Sequence, residues 1–529
     1  MSWVKRHLPT KRWNRVALYV LSGLLILIAA DMCFVQYWRR ITISPETTRI
    51  TTPLTPLGYP DYIAALNAEF SRGVTSENNA AVLLLDLIPE NENDFSLKLR
   101  QAELAALSLP ASPARQGTAV WTFDIWRAQQ LGTSPMPPSA TAPAPASDDD
   151  EISELMRSPW RPVDHPLAKK WLDDHVSALD LVHRAVARDR CYFPLVAHPN
   201  WATDDSPGQL IAVLIPHLSH CRTAAYMLIT RAMCRLSEGD LPGFEQDITD
   251  TFLLARLLSQ NPMLIDQLVA YQIDALAQRA LQQASASDLL DAAAAPRLLA
   301  LLDRLPPMPA LARAIDHSER YSVLDFVCLV SYRGPSAIAI LDAESTFSTQ
   351  PGSTLAQYLL PINCNAALRI ANAFLDRCVR ALDQPTYLQQ QAALAAIEKD
   401  LQDMNRNALR INLAERFVAM LMVSFTHINS TYEQSLVLHN LTILALQLRL
   451  YHLEHHAYPA ALTDLSVPPA TLFDAFADRP LVYRREGSGY LLYSVDRDGH
   501  DDGGLPRKLA KSGQTWDLVV HAQPQPQPK

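Results

Sequence analysis

The chain has 529 residues, of which 48% are hydrophobic and 19% charged, an ordinary globular composition with room for roughly two to four domains. Glycine is scarce at 16 and proline frequent at 38, a balance that points to helices punctuated by prolines. The formal net charge of -9 hides an asymmetry. Seven of the 46 Lys and Arg lie in residues 1–40 beside a single acid, Asp31, and the rest of the chain sets 39 basic groups against 54 acidic ones. An acidic body argues against nucleic acid as a partner, because phosphates require a basic face.

Residues 16–30 are unbroken apolar or small, and the run continues to Tyr37 and Trp38 with Asp31 as its one charge. A helix crosses a hydrocarbon layer of ~30 Å in about 20 residues. Residues 15–38 therefore predict a transmembrane helix, with Trp13 and Tyr19 at one interface and Tyr37 and Trp38 at the other. Five basic residues precede it and two follow, which places residues 1–14 in the cytoplasm and the body on the far side, in the periplasm of a two-membrane envelope. A cleaved signal peptide is the competing reading, but Ile28-Ala29-Ala30 is a poor small-x-small cleavage site. Asp31 lies toward the outer end, within reach of interfacial water.

Residues 39–130 read as a stalk, over 41–60, and a first helical region, with helices over 60–70, 76–87 and 95–107. Residues 131–150, rich in Pro and Ala and ending in three aspartates, read as a linker that cannot pack a core. A helical domain follows over 151–465, with apolar residues at spacings of three and four. Helices are expected over 165–189, 209–237 with a kink at Pro216, 242–258, 263–283, 294–305, 316–332, 364–382, 386–405, 413–425 and 432–456, and an exposed loop over 343–357. The turn at Gly239-Asp240, with Ala232 and Leu236 before it and Phe244, Ile248 and Phe252 after, resembles one tetratricopeptide hairpin. No 34-residue repeat is seen, so an ordinary helical hairpin is the simpler reading. Cys33 falls in the anchor, and Cys191, Cys221, Cys234, Cys328, Cys364 and Cys378 fall in the body, where they would be either paired by the oxidising compartment or buried as free thiols.

After Tyr458-Pro459 the pattern changes. Strands are expected over 480–485 and 490–495 around the turn Glu486-Gly487-Ser488-Gly489, with a third over 516–520. Between them lies the acidic stretch Asp496-Arg497-Asp498-Gly499-His500-Asp501-Asp502. Residues 466–522 thus form a small β module, followed by a disordered tail over 523–529. A long helix, Tyr458-Pro459, Tyr483, Leu492-Tyr493-Ser494 and Asp498-Gly499 together resemble the C-terminal half of the major pseudopilins of type II secretion, over roughly 75 residues. That resemblance implies a loop that binds calcium through side-chain and backbone oxygens. Asp498 matches the family's aspartate-glycine position, Asp496 stands where the family often has glycine, and the leader glycine and membrane-helix glutamate of a pseudopilin are absent from the N-terminal stretch. The residues themselves admit two readings. Asp496, Asp498, Asp501 and Asp502 hold calcium, which takes six to eight oxygens, or they form a solvated acidic turn.

His452, His455 and His456 share one helix face, the i, i+3, i+4 spacing of a metal site. The string His452-Leu453-Glu454-His455-His456 resembles a membrane-desaturase histidine box. That family needs three boxes and several spans, whereas His217-Leu218-Ser219-His220 is the sole other near match here, so an exposed polar face is the simpler reading. No Walker A, His-Glu-x-x-His, Gly-x-Ser-x-Gly or Gly-x-Gly-x-x-Gly string occurs. The expected fold is mainly α: one N-terminal transmembrane helix, a multi-helix body and a small C-terminal antiparallel β module. The expected role is a membrane-anchored scaffold offering its helical body to protein partners. The alternatives are an envelope metal-dependent enzyme with a site assembled in the body, and an accessory part of a secretion or pilus-like system.

Overall fold

The computed structural model describes residues 37–89, 94–110, 117–132, 149–197, 206–334, 337, 362–406, 413–510 and 514–522. The chain is mainly helical, with a small antiparallel module at its C-terminal end. Among the described residues no helix is long and apolar enough to cross a membrane. The expected span over 15–38 lies outside them except for Tyr37 and Trp38, as do the loop 343–357, most of the linker 131–150 and the tail 523–529.

Residues 41–60 lie against the body. Asn365 accepts from the Thr42 N–H at 2.8 Å and donates to the Arg40 carbonyl at 2.8 Å, and Ser331 donates to the Arg39 carbonyl at 2.6 Å. Thr47 and Thr48 are fully buried in a turn, where their N–H groups donate to the Ser44 carbonyl at 3.1 and 2.9 Å and Asn372 donates to the Thr47 carbonyl at 2.8 Å. The helix α1 (Tyr62–Phe70) follows, capped by Asp61, which accepts from the Ala64 N–H at 2.9 Å.

The largest core gathers α2 (Ala81–Leu84), α3 (Asp94–Ala106), α4 (Phe123–Gln130), α5 (Asp149–Leu155), α6 (Pro166–Asp174), α7 (Val176–Val186), α8 (His217–Glu238), α9 (Leu241–Leu258), α10 (Leu264–Ala286) and α11 (Ala294–Arg304). The helix expected over 165–189 is two helices, broken at His175, whose ring bonds the Trp171 carbonyl at 2.7 Å. The segment before Pro216 is a short 3-10 turn and not the first arm of a kinked helix. Gly239, at φ 77°, ends α8, and Asp240 caps α9 by accepting from the Gly243 N–H at 3.0 Å. Asp247, fully buried, clamps that hairpin by taking Arg231 at 2.7 Å and Arg235 at 2.8 Å.

A second core joins α1 to α13 (Arg320–Arg333), α14 (Cys364–Leu382) and α16 (Leu413–Leu421), beyond α12 (Leu311–Ala314) and the π turn Ile315–Glu319. A third packs α14 on α15 (Tyr387–Arg406) and on the start of α17 (Phe425–His455). The last lies between α17 and the β module. There, β1 (Phe473–Asp474) pairs β2 (Arg479–Pro480), and β3 (Val482–Glu486), β4 (Gly489–Ser494) and β5 (Leu518–Ala522) form one antiparallel sheet with β4 central and buried. The six body cysteines are buried free thiols.

Arg320 is wholly buried and joins three elements. It reaches Asp316 and Asp376 at 2.7 Å each, and the Asn372 carbonyl and side chain at 3.1 and 3.0 Å. Asn372 in turn donates to the carbonyls of Glu46 and Thr47. Replacing Arg320 by Ala removes the donor that these acceptors share. The expected loss is about 3 kcal/mol, read as a lower urea midpoint, with faster amide exchange over residues 46–50.

Candidate functional site

The C-terminal module is fixed to α17 before its loops are placed. Tyr458 inserts between His452, stacked at 4.5 Å between ring centres, and Tyr490 at 4.8 Å. Tyr483 donates to the Pro459 carbonyl at 2.9 Å. The Tyr-Pro pair that follows the long helix thus seats the sheet. It also settles where the histidines go. His452 stacks on Tyr458, His455 stacks on Tyr451 at 4.1 Å, and His456 ends the helix in a left-handed conformation at φ 55°. The three rings do not converge.

Asp474 latches the loop after β4. One of its oxygens accepts from the Phe476 N–H at 3.1 Å and from Ser494 Oγ at 2.9 Å, and the other from the Val495 N–H at 3.0 Å. Burial raises its pKa against those bonds. Asp496 follows, only 2% exposed and at φ 56°, a conformation that glycine adopts freely. Its Oδ1 accepts from Gln434 Nε2 on α17 at 2.8 Å, and burial raises its pKa.

The four candidate carboxylates are sent to different neighbours. Asp496 faces α17. Asp498 is exposed, with Oδ1 accepting from the His500 N–H at 3.0 Å. Asp501 accepts from Tyr493 Oη at 2.8 Å and from Arg479 at 3.2 Å, and the Tyr493 bond, ahead of the arginine, lowers its pKa. Asp502 accepts from Thr515 Oγ1 at 3.0 Å and meets His500 at 3.2 Å, while its buried Oδ2 has no partner. Asp517, absent from the sequence-derived set, lies beside Asp502 and takes the N–H groups of Gly504 at 2.8 Å and Leu505 at 3.3 Å. The carboxylates of Asp496, Asp498, Asp501 and Asp502 are thus each engaged by a different neighbour. Among the described residues no three His, Cys, Asp or Glu side chains are grouped to hold a metal ion.

The arrangement does make a wide cleft of about 740 Å³ between α15, the first turns of α17 and the turn at Asp498-Gly499. Its floor is Tyr387 edge-on to Phe476 at 4.8 Å. Glu398 lines it but is engaged, accepting from the Thr426 N–H at 2.9 Å, Thr426 Oγ1 at 3.0 Å and Ser424 Oγ at 3.1 Å, so that it caps α17 from another helix. Lys399, His427, Arg497 and Asp498 remain at the walls. The cleft is thus open, apolar below and lined with both signs of charge above.

The body also holds a constellation with no motif to announce it. His217 and Asp266, 49 residues apart, meet at 3.1 Å with Phe193 stacked on the imidazole at 3.8 Å. Asp266 also accepts from the Met263 N–H at 3.0 Å, and His217 is only 3% exposed. The pair therefore ties α8 to the start of α10 out of contact with solvent. No family model matches the chain, and neither a curated protein nor a solved structure matches it.

Glu433 on α17 is raised from the ordinary 4.5 to about 7, by burial first and then by the charge of Asp474. A raised acid holds its proton more tightly in the folded state. Its contribution therefore favours folding below about 4.5 and is lost as pH climbs to about 7. Glu433→Gln is expected to flatten that limb of the stability profile and to be more stable than the parent at pH 8 by about 2 kcal/mol, measured by paired denaturant melts from pH 4 to 8.

Proposed function

We propose that this chain is a membrane-anchored scaffold of the cell envelope: N-terminus in the cytoplasm, one span over residues 15–38, and a helical body beyond the membrane that receives a protein partner. The observation that carries the reading is the open cleft of about 740 Å³ between α15, α17 and the Asp498 turn, held by one continuous helix of 31 residues. The buried ion pairs add support, since Asp247 with Arg231 and Arg235, Arg256 with Asp274, and Arg320 with Asp376 join helix to helix. These are the features of a rigid platform. A photo-crosslinking residue in place of Leu388, at the cleft wall and 43% exposed, is expected to give one discrete envelope adduct that Lys399→Glu removes. A reporter fused after residue 522 is expected to be active outside the cytoplasm. Absence of any adduct rejects the docking role, and a reporter active only in the cytosol rejects the placement.

A second reading, calcium in the pseudopilin-like loop, is favoured by one observation: the buried, unpartnered Oδ2 of Asp502 next to Asp517. For calcium to take the remaining aspartates as well, the loop must exchange the bonds described above for the ion. Millimolar calcium, the affinity range of extracellular modules, is then expected to raise the melting temperature of the full chain, and Asp502→Asn to remove the rise. No shift in the parent protein rejects this reading.

A further inference from the structure

A smaller cavity, of about 250 Å³, opens where α8, α10 and α17 meet, and its chemistry differs from that of the molecule around it. Arg222 and Tyr226 reach it from α8, Tyr271, Gln272 and Arg279 from α10, and Ser435 from α17. Among the described residues no Asp or Glu lines it, although the chain carries 55 acidic residues against 46 basic ones. Neither Arg222 nor Arg279 makes an ion pair with a carboxylate among the described residues, whereas nearby arginines do: Arg231 and Arg235 with Asp247, and Arg256 with Asp274. The cavity is thus rimmed by two solvent-exposed guanidinium groups that have no counter-ion among the described residues, flanked by tyrosines and side-chain amides. A guanidinium presents a planar fork of donors that matches oxyanions.

The surroundings reinforce the positive field. Desolvation first, and then the charges of Arg157 and Arg507, lower the pKa of Arg279, while Asp496 opposes them. Asp496 does not neutralise the group by contact. It is held by Gln434, another lining residue, at 2.8 Å, and lies 4.0 Å from Arg497. Arg507 is occupied from one side by Trp516, at 5.1 Å. The helices that form the walls are tightly joined. Gln282 on α10 donates to Thr442 on α17 at 2.8 Å, and Gln278 meets His439 at 3.1 Å. The helices that carry the arginines are therefore fixed to one another, while the exposed side chains themselves are ordered only on binding.

We propose that this cavity is a binding site for a small oxyanion, a phosphate or carboxylate group, gripped by Arg222 and Arg279. The volume accommodates such a group with a short appendage, and the rings of Tyr226 and Tyr271 offer that appendage an apolar wall.

The test uses the full chain in detergent, titrated with inorganic phosphate and, separately, with acetate, against sodium chloride of matched ionic strength. Tryptophan-fluorescence melts and calorimetry are the readouts. One or both anions are expected to raise the melting temperature, and the double variant Arg222→Gln/Arg279→Gln to weaken that anion about tenfold or more, the effect of losing one charge-assisted bond or better. Arg184→Gln/Arg380→Gln, which removes the same net charge from other helices, is expected to bind as the parent does. A response to phosphate alone, to acetate alone, or to both supports the site when it depends on the cavity arginines. The proposal is overturned if neither anion acts on the parent protein, or if both double variants respond alike. Unchanged melting of Arg222→Gln/Arg279→Gln in chloride shows that lost binding is not lost folding.

Discussion

The helix Phe425–His455 is the constraint on which the rest of the structure depends. At 1.5 Å per residue its 31 residues extend about 46 Å, and it contributes to three cores along that length. Phe425 packs with α14 and α15, Leu446 with the largest core, and Val437, Leu441, Leu444 and Leu448 with the β module. A helix apolar on more than one side must be covered on more than one side. That requirement fixes the sheet on one flank and α10 on the other. Its buried polar groups are satisfied across the same seams. Arg449 donates to the Leu290 carbonyl at 3.0 and 3.1 Å and to Asp288 at 3.2 Å, so the charge is buried with partners from the segment after α10.

Both cavities follow from this helix. The cleft at Tyr387 and Phe476 exists because α15 and the Asp498 turn flank the first turns of α17 without meeting above them. The Arg222–Arg279 cavity is lined by α8, α10 and α17 together. The two lie on either side of one stretch of helix, with Ser430 lining the first and Thr431, Gln434 and Ser435 the second. Gln434 connects them chemically, since it faces the smaller cavity and holds Asp496 and Arg497, the latter at the wall of the cleft.

Local signals were legible where local physics decides. The hairpin over 482–494 follows from two runs rich in strand formers around Gly487, and the α8–α9 turn from Gly239 and Asp240, a left-handed helix end followed by a side-chain cap. The start of α17 was not legible, and the helix was expected only from residue 432. Thr426, His427, Asn429, Ser430 and Thr431 are weak helix formers, and their helix is begun by Glu398, which is 28 residues from Thr426 and on another element. The acidic loop shows the same limit. Crowding of Asp496, Asp498, Asp501 and Asp502 is visible in the sequence. That Gln434, Tyr493, Arg479 and Thr515 would each take one of them aside is not.

The two unpaired arginines could not have been found by any spacing, because 57 positions separate Arg222 from Arg279 and neither belongs to a motif. What makes them informative is a contrast that exists only in three dimensions. This fold places Asp247 where it meets two arginines and Asp274 where it meets another. It buries Arg320 among two aspartates and an asparagine. In an acidic body with carboxylates to spare, pairing an exposed arginine requires only one nearby substitution on a helix surface, at little cost in packing. Two exposed arginines that share one cavity with hydroxyl and amide groups, and with no acid among its described lining residues, leave a net positive charge open to an anion from solution.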